Sequence, residues 1–211
     1  MLAHERRTYL QRSNESRYRR TQSYWRDNQR PHGDNQENRV AIFLMKLEDV
    51  QKDIASWIEN FLEVRNPALG DRSPCPFARA ARLKNSYEVR LGYEAYEDLV
   101  ALGKEGLGDK EVVILAYPRD FYTPNEFADI VNNVNQGFLL PVDLIALDDH
   151  PNHVEEVNGV CFNQGEYTLA MVQSLSELNA RAKSMAQQGF YDAWPEEYLE
   201  DLFKHREDPR T

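Results

Sequence analysis

The segment Leu144–Val172, LIALDDHPNHVEEVNGVCFNQGEYTLAMV, decides the predicted fold. One apolar run ends at Leu147 and a second begins at Tyr167, and each run is predicted to form a strand. The polar stretch between them is predicted to be an irregular loop, and loops held between strands often carry function. Its side chains that could bind a metal or take part in catalysis are Asp148, Asp149, His150, His153, Asn158, Cys161 and Asn163.

Helices and strands alternate in the rest of the patterned chain. Apolar residues recur every three or four positions over residues 46–64, which predicts an amphipathic helix. The continuous apolar run Glu111–Tyr117 predicts a buried strand, and Thr123-Pro124-Asn125-Glu126 predicts a capped helix start. The other predicted elements are a short helix at 78–83, strands at 85–91, 141–147 and 167–173, and helices at 94–107, from 174 or 176 to about 188, and at 195–205.

This order of elements predicts an α/β or α+β fold: a small mixed four-stranded sheet packed with helices on one or both faces. The first three strands are separated by helices, so we expect them to be parallel neighbours. The fourth strand follows a loop and is expected to run antiparallel. We predict a single domain over residues 40–211, preceded by a disordered tail at residues 1–39 that has too few aliphatic residues to build a core.

Charge is distributed unevenly along the 211 residues, whose net charge is −10. Residues 1–39 contain nine arginines and five acidic residues, a net charge of +4, which leaves −14 for residues 40–211. An acidic domain argues against non-specific nucleic-acid binding, because phosphate contacts need basic surface. Only the tail, whose arginines alternate with aromatic residues, could bind a single-stranded nucleic acid, and a solvated tail is the more common case. A translation start at Met45 would place the tail outside the native protein.

Several features indicate the class of protein and its compartment. No apolar run approaches 18 residues, which argues against a membrane span. The first residues lack an apolar core of the kind that secretory signals have. Two cysteines, Cys75 and Cys161, do not make a disulfide framework. We therefore expect a cytoplasmic protein in a reducing compartment.

Two histidines near two aspartates make a candidate metal site. His150, His153 and Asp148 form the two-histidine, one-carboxylate set that suits iron or zinc, so a bound divalent metal is one hypothesis. The sequence Asp-Asp-His-Pro-Asn-His matches no established metal motif. The alternative is a hydrogen-bonded turn, since Asp, Asn and His-Pro are common turn residues. Cys161 could instead join the two histidines around a metal.

A nucleophilic arrangement is a second hypothesis. Cys75 lies between two prolines, ahead of a predicted short helix that contains Arg79 and Arg82, and this setting would lower the pKa of its thiol. His150 or His153 could then act as the base, and Asp149, Asp148 or Asn158 could orient it. Such triads are defined in space and not by sequence order. The alternative is that Cys75 is a small buried apolar residue, as free cysteines commonly are.

The segment Cys75-Pro76-Phe77-Ala78 after an amphipathic helix, with a later strand that ends in His150-Pro151, resembles a group of small bacterial proteins of unknown function. The resemblance covers about residues 46–190. This chain departs from the group in a shorter, more acidic loop after His150-Pro151 and in the residues that enter the last strand. The resemblance implies a similar fold and shared positions at Cys75, His150 and Asn163, and it implies no activity.

Two functions are consistent with these patterns. The first is an enzyme that acts on a small molecule at a site formed by Cys75 and the Asp148–Asn163 loop, at the ends of strands. The second is a non-enzymatic interaction or accessory protein, in which the acidic domain docks a basic protein partner and the Arg-rich tail orders on binding. The grouping of Cys, His and Asp favours the first, because a pure binding module does not require it.

Overall fold

A computed structural model describes residues 44–204 and 206–210, and the predicted tail at 1–39 lies outside them. In these residues six α-helices accompany a four-stranded mixed sheet, which confirms the predicted fold class. The helices are α1 Leu47–Trp57, α2 Ala78–Lys84, α3 Ala95–Glu105, α4 Pro124–Val134, α5 Leu175–Gln187 and α6 Glu196–Leu202. The strands are β1 Tyr87–Leu91, β2 Val112–Pro118, β3 Leu144–Asp149, β4 Glu156–Val157, β5 Val160–Cys161 and β6 Tyr167–Ser174. In the same described ranges, no helix is both long and apolar enough to cross a bilayer.

The strands of the main sheet follow the order β1-β2-β6-β3. Strands β1 and β2 are parallel neighbours, as predicted. Strand β6 is antiparallel to both β2 and β3, which confirms the expected direction of the last strand. Its position corrects one expectation: β2 and β3 run in the same direction but are not neighbours, because β6 lies between them. Met171 of β6 consequently pairs with Ile114 on one side and with Leu147 on the other.

One face of the sheet is covered by α3 and α4. The apolar sides of these helices pack on the alternate strand residues Val113, Leu115 and Val172. The predicted cap of α4 is present as a capping box between Thr123 and Glu126. This face forms the largest closed core of the described residues. The candidate site lies on the opposite face of the sheet.

The opposite face is only partly covered by α1. Val50 and Ile54 are buried against Val89, Ile114 and Leu169, which confirms that the apolar stripe of this helix belongs to the core. Helix α1 continues as a π-helical turn at Ile58–Leu62. A further cluster from the C-terminal part lies beside it, and its buried members are Leu69, Val157, Ala182, Phe190, Tyr191, Trp194, Leu199 and Phe203.

Several boundaries differ from the sequence prediction. Strand β3 spans Leu144–Asp149 instead of 141–147, so Asp148 and Asp149 belong to the strand and not to the predicted loop. The predicted irregular loop contains a small hairpin, β4 and β5, which turns at Asn158 and Gly159 with φ of 53° and 81°. Asn-Gly between strands is a strong hairpin signal, because both residues tolerate positive φ. Helix α4 continues as a π-helical turn, Asn135–Leu139, which runs through Gly137, a residue type that commonly ends helices. Helix α6 ends at Leu202, earlier than predicted.

Candidate functional site

A cavity of about 270 Å³ opens on the face of the sheet opposite α3 and α4. Its floor is formed by strand residues such as Ile114, Leu147 and Met171. One wall comes from the end of α1, the segment around Cys75, and α2. The other wall comes from α5 and the C-terminal aromatic cluster. The aromatic residues that line the cavity are Trp57, Phe77, Tyr87, Phe162, Phe190, Tyr191, Trp194 and Tyr198.

Aromatic rings pack edge to face along the C-terminal wall. The Trp194 ring centroid lies 5.5 Å from that of Phe162, 5.4 Å from that of Tyr198 and 5.7 Å from that of Tyr191. Such pairs prefer tilted or edge-on contacts and hold each ring in one orientation. The wall is therefore a preformed, largely apolar surface made of ring faces and ring edges, and ligand pockets are generally lined by such residues.

Asn163 organises the loop that reaches the cavity. Its side-chain amide donates hydrogen bonds to a carboxylate oxygen of Asp149 at 2.7 Å and to the carbonyl oxygens of His150 and His153 at 3.2 and 2.9 Å. Its Oδ1 accepts from the backbone N–H of Glu155 at 2.8 Å. One amide thus ties both arms of the loop together and fixes the position of Asp149.

Two carboxyl groups line the cavity from this loop, Asp149 and Glu155. Asp149 is 5% exposed, and its second oxygen accepts from the backbone N–H of Gln164 at 2.9 Å. Glu155 accepts a hydrogen bond from the Tyr198 hydroxyl. Burial raises the pKa of both carboxyl groups above their ordinary values, and the charge of Asp149 raises the pKa of Glu155 further. Both carboxyl groups therefore keep a proton to a higher pH than an exposed carboxyl group does.

Cys75 lines the same cavity as Asp149, and the structure reverses the expectation for its thiol. Burial raises the pKa of Cys75, although the backbone N–H groups of Phe77 and Ala78 oppose this shift. Arg82 is occupied elsewhere, because it pairs with the carboxylate of Glu63 at 2.5 Å. The thiol is therefore held in its protonated form, and a thiolate nucleophile is disfavoured.

His150 does not line the cavity, and its ring forms hydrogen bonds that stabilise the fold. Its Nε2–H donates to the carbonyl oxygen of Tyr122 at 2.8 Å, and its Nδ1 accepts from the backbone N–H of Asn152 at 3.1 Å. The ring is 3% exposed. Because both ring nitrogens form hydrogen bonds, neither is free to bind a metal. The triad of Cys75, His150 and Asp149 is therefore not assembled: two of its members share the cavity and the third is held elsewhere.

The predicted metal ligands are not brought together either. Within residues 44–204 and 206–210, no group of three or more His, Cys, Asp or Glu side chains has the arrangement of a metal site. His153 and Asp148 are exposed, while His150 is buried against Tyr122. The backbone N–H of His153 donates to the carbonyl oxygen of His150 at 2.9 Å, which is the hydrogen-bonded turn that the sequence offered as the alternative.

The part of the cavity near the C-terminal segment is basic. Arg206 lines the cavity, and its guanidinium stacks on Phe203 at 5.1 Å from the ring centroid. Burial lowers the pKa of Arg206. Burial also raises the pKa of Tyr191; the charge of Arg206 opposes this second shift, and the charge of Cys75 adds to it. Arg206, Tyr191 and Cys75 therefore lie within electrostatic reach of one another.

Sequence reasoning missed Glu155, Tyr198, Trp194 and Arg206 as site residues. Glu155 lies within the predicted loop, but no spacing marked it as different from Glu156. Tyr198, Trp194 and Arg206 come from the C-terminal region, where the pattern predicted only a helix at 195–205. A scan of protein-family models, a search of curated proteins and a search of solved structures found no significant match to this chain.

Proposed function

We propose that this domain is an enzyme that binds a small, largely apolar molecule in the aromatic cavity and catalyses proton transfer to or from it. The supporting observation is that Cys75 and two carboxyl groups of the loop line one cavity of about 270 Å³. Ligand pockets of about 300–1,000 Å³ are typical of drug-sized molecules, so this volume fits a smaller ligand. The resemblance to proteins with a Cys-Pro-Phe-Ala segment stays a prediction.

Glu155 and Asp149 are the proposed acid–base groups. A carboxyl group whose pKa is raised toward the working pH is an efficient proton donor or acceptor. The Tyr198 hydroxyl orients Glu155, and Asn163 orients Asp149. In this proposal Cys75 forms part of the wall and is not the nucleophile, because burial keeps its thiol protonated.

A cavity-filling substitution tests the binding part of this proposal. Ala81 lines the cavity from α2 and is 8% exposed, so Ala81→Trp would occupy its volume. Leu83→Trp is the matched control, because Leu83 lies on the same helix, is 67% exposed and does not line the cavity. Ligand-observed NMR of a library of small aromatic fragments should show binding to the wild type and to Leu83→Trp, and a loss of at least tenfold in affinity in Ala81→Trp.

Equal fragment binding by a folded Ala81→Trp protein would contradict the proposal. If Ala81→Trp does not fold, Met171→Trp fills the same cavity from the sheet and serves in its place. The alternative function, an interaction protein that docks a basic partner, stays a prediction, and its Arg-rich tail lies outside the described residues.

A further inference from the structure

Arg206 differs from the other arginine that lines the cavity. Arg181 donates to Glu111 at 2.8 Å and to Glu177 at 3.1 Å, and its guanidinium lies over Phe77. Arg206 has no ion pair within the described residues. The hydrogen bond that it makes there runs from Nε to Asn179 Oδ1 at 3.4 Å, which is long.

An unpaired guanidinium in an apolar wall is unfavourable. Arginine stays charged at all ordinary pH values, so it cannot relieve its burial by losing a proton. A charge taken out of water needs an opposite charge or several hydrogen bonds. For Asp149 and Glu155 the cost of a buried charge is reduced, because each accepts hydrogen bonds and each can take up a proton. Among the described residues, the charged group of the cavity wall that has no ion pair and cannot neutralise itself is therefore Arg206.

We propose that the ligand of the cavity is a small carboxylic acid with a flat apolar body, whose carboxylate pairs with Arg206. This inference rests on the proposed function and specifies its ligand. The guanidinium fork matches a planar carboxylate. The flat body lies against the ring wall formed by Phe162, Trp194 and Tyr198.

The number of charges favours a carboxylate over a phosphate ester. In the part of the chain that the structure describes, Arg206 offers one positive charge without an ion pair, and Asp149, Glu155, Glu111 and Glu177 also line the cavity. A dianion would meet one cation and bring a second, unbalanced negative charge into the cavity, whereas a monoanion balances Arg206. The carboxyl groups with raised pKa would remain available at the other end of the ligand for proton transfer.

Four phenyl compounds test this inference on the full chain. Phenylacetate carries a carboxylate, phenylacetamide is its neutral analogue, phenethylamine is a cation, and phenyl phosphate carries the larger charge. Ligand-observed NMR titrations should show phenylacetate binding at least tenfold more tightly than phenylacetamide, as expected for a charged hydrogen bond. In Arg206→Gln this preference should vanish, and in Arg206→Lys it should be weakened. The control Arg65→Gln removes the same charge at an exposed site outside the cavity and should keep the preference.

Each outcome separates the two proposals. Equal binding of phenylacetate and phenylacetamide by the wild type overturns the carboxylate inference and leaves the cavity as the site. Tighter binding of phenethylamine or of phenyl phosphate also overturns it, and indicates instead a cation at the carboxyl groups or a dianion. The comparison within the wild type needs no variant, so it remains decisive even if Arg206→Gln is unfolded. Failure of all four compounds to bind overturns the proposed function together with the inference.

Discussion

The hydrogen bonds of single side chains determine which predicted site residues remain available for catalysis or binding. His150 is a strong candidate by residue type, yet its two ring nitrogens bond to the Tyr122 carbonyl and the Asn152 N–H. The partner at Tyr122 is 28 residues away in sequence, so no local pattern could reveal it. Asn163, by contrast, was placed in the loop by sequence, and the structure shows that it holds the loop together.

Asn163 should therefore be sensitive to substitution. Asn163→Ala removes the hydrogen bonds to Asp149, His150, His153 and Glu155 and should lower the free energy of unfolding by about 2–4 kcal/mol. Asn163→Asp places a second carboxylate beside Asp149 and should destabilise more at pH 8 than at pH 5, where protonation relieves the repulsion. Urea denaturation measures both effects. Asn60→Asp, at an exposed position, is the matched control, and a loss in Asn163→Asp no larger than in the control would contradict this role.

The two cysteines should differ in reactivity. Cys161 is exposed, whereas the pKa of Cys75 is raised by burial. At pH 7.5 iodoacetamide should label Cys161 at least tenfold faster than Cys75, because the thiolate is the reactive form. Peptide mass spectrometry after timed labelling gives the two rates. Faster labelling of Cys75 would restore the thiol chemistry that the sequence predicted.

Elements were predicted well wherever a periodic pattern was long enough. The stripe of α1, the apolar run of β2 and the capping box of α4 each depend on neighbours within a few positions, so sequence alone could identify them. The insertion of β6 between β2 and β3 depends on pairing across the sheet and was not predicted. The hairpin β4–β5 could have been found from Asn158-Gly159. The aromatic wall could not, because Phe162 and Trp194 meet only through the tertiary fold.

The carboxyl group that α6 orients should make stability depend on pH. Burial raises the pKa of Glu155 above that of an ordinary Glu, although the hydrogen bond from Tyr198 of α6 opposes this shift. The folded state therefore binds the proton of Glu155 more tightly than the unfolded state. Its contribution to stability is complete below the ordinary Glu pKa of about 4.3 and is lost as pH rises through the raised value. The Glu155→Gln variant has no carboxyl group at this position, so it does not lose this stability as pH rises.

The variant Glu155→Gln should gain stability relative to the wild type as pH rises from 4 to 8. Urea denaturation across this range measures the difference. Glu200→Gln, at an exposed position of α6, is the control and should stay parallel to the wild type. A constant difference between Glu155→Gln and the wild type would mean that Glu155 titrates as an ordinary carboxyl group.

The two faces of the sheet are covered unequally, and this asymmetry brings the candidate site residues together on one face. Helices α3 and α4 seal one face of the sheet, and α1, α2 and the C-terminal cluster leave a cavity on the other. The sequence indicated a site between Cys75 and the loop, and the cavity is lined by both. The contribution of the C-terminal segment was not predictable, because Arg206 and Tyr198 reach the cavity from 43 or more residues beyond Glu155 in the chain.

The most direct test of the central claim is the location of ligand binding on the assigned ¹H–¹⁵N NMR spectrum of the full chain. We expect titration with phenylacetate or phenylacetamide to shift the backbone amide signals of Cys75, Glu155 and Trp194 most, because these residues line opposite walls of the cavity. Shifts concentrated instead around Asp98 and Tyr122, on the face that α3 and α4 cover, would contradict the account.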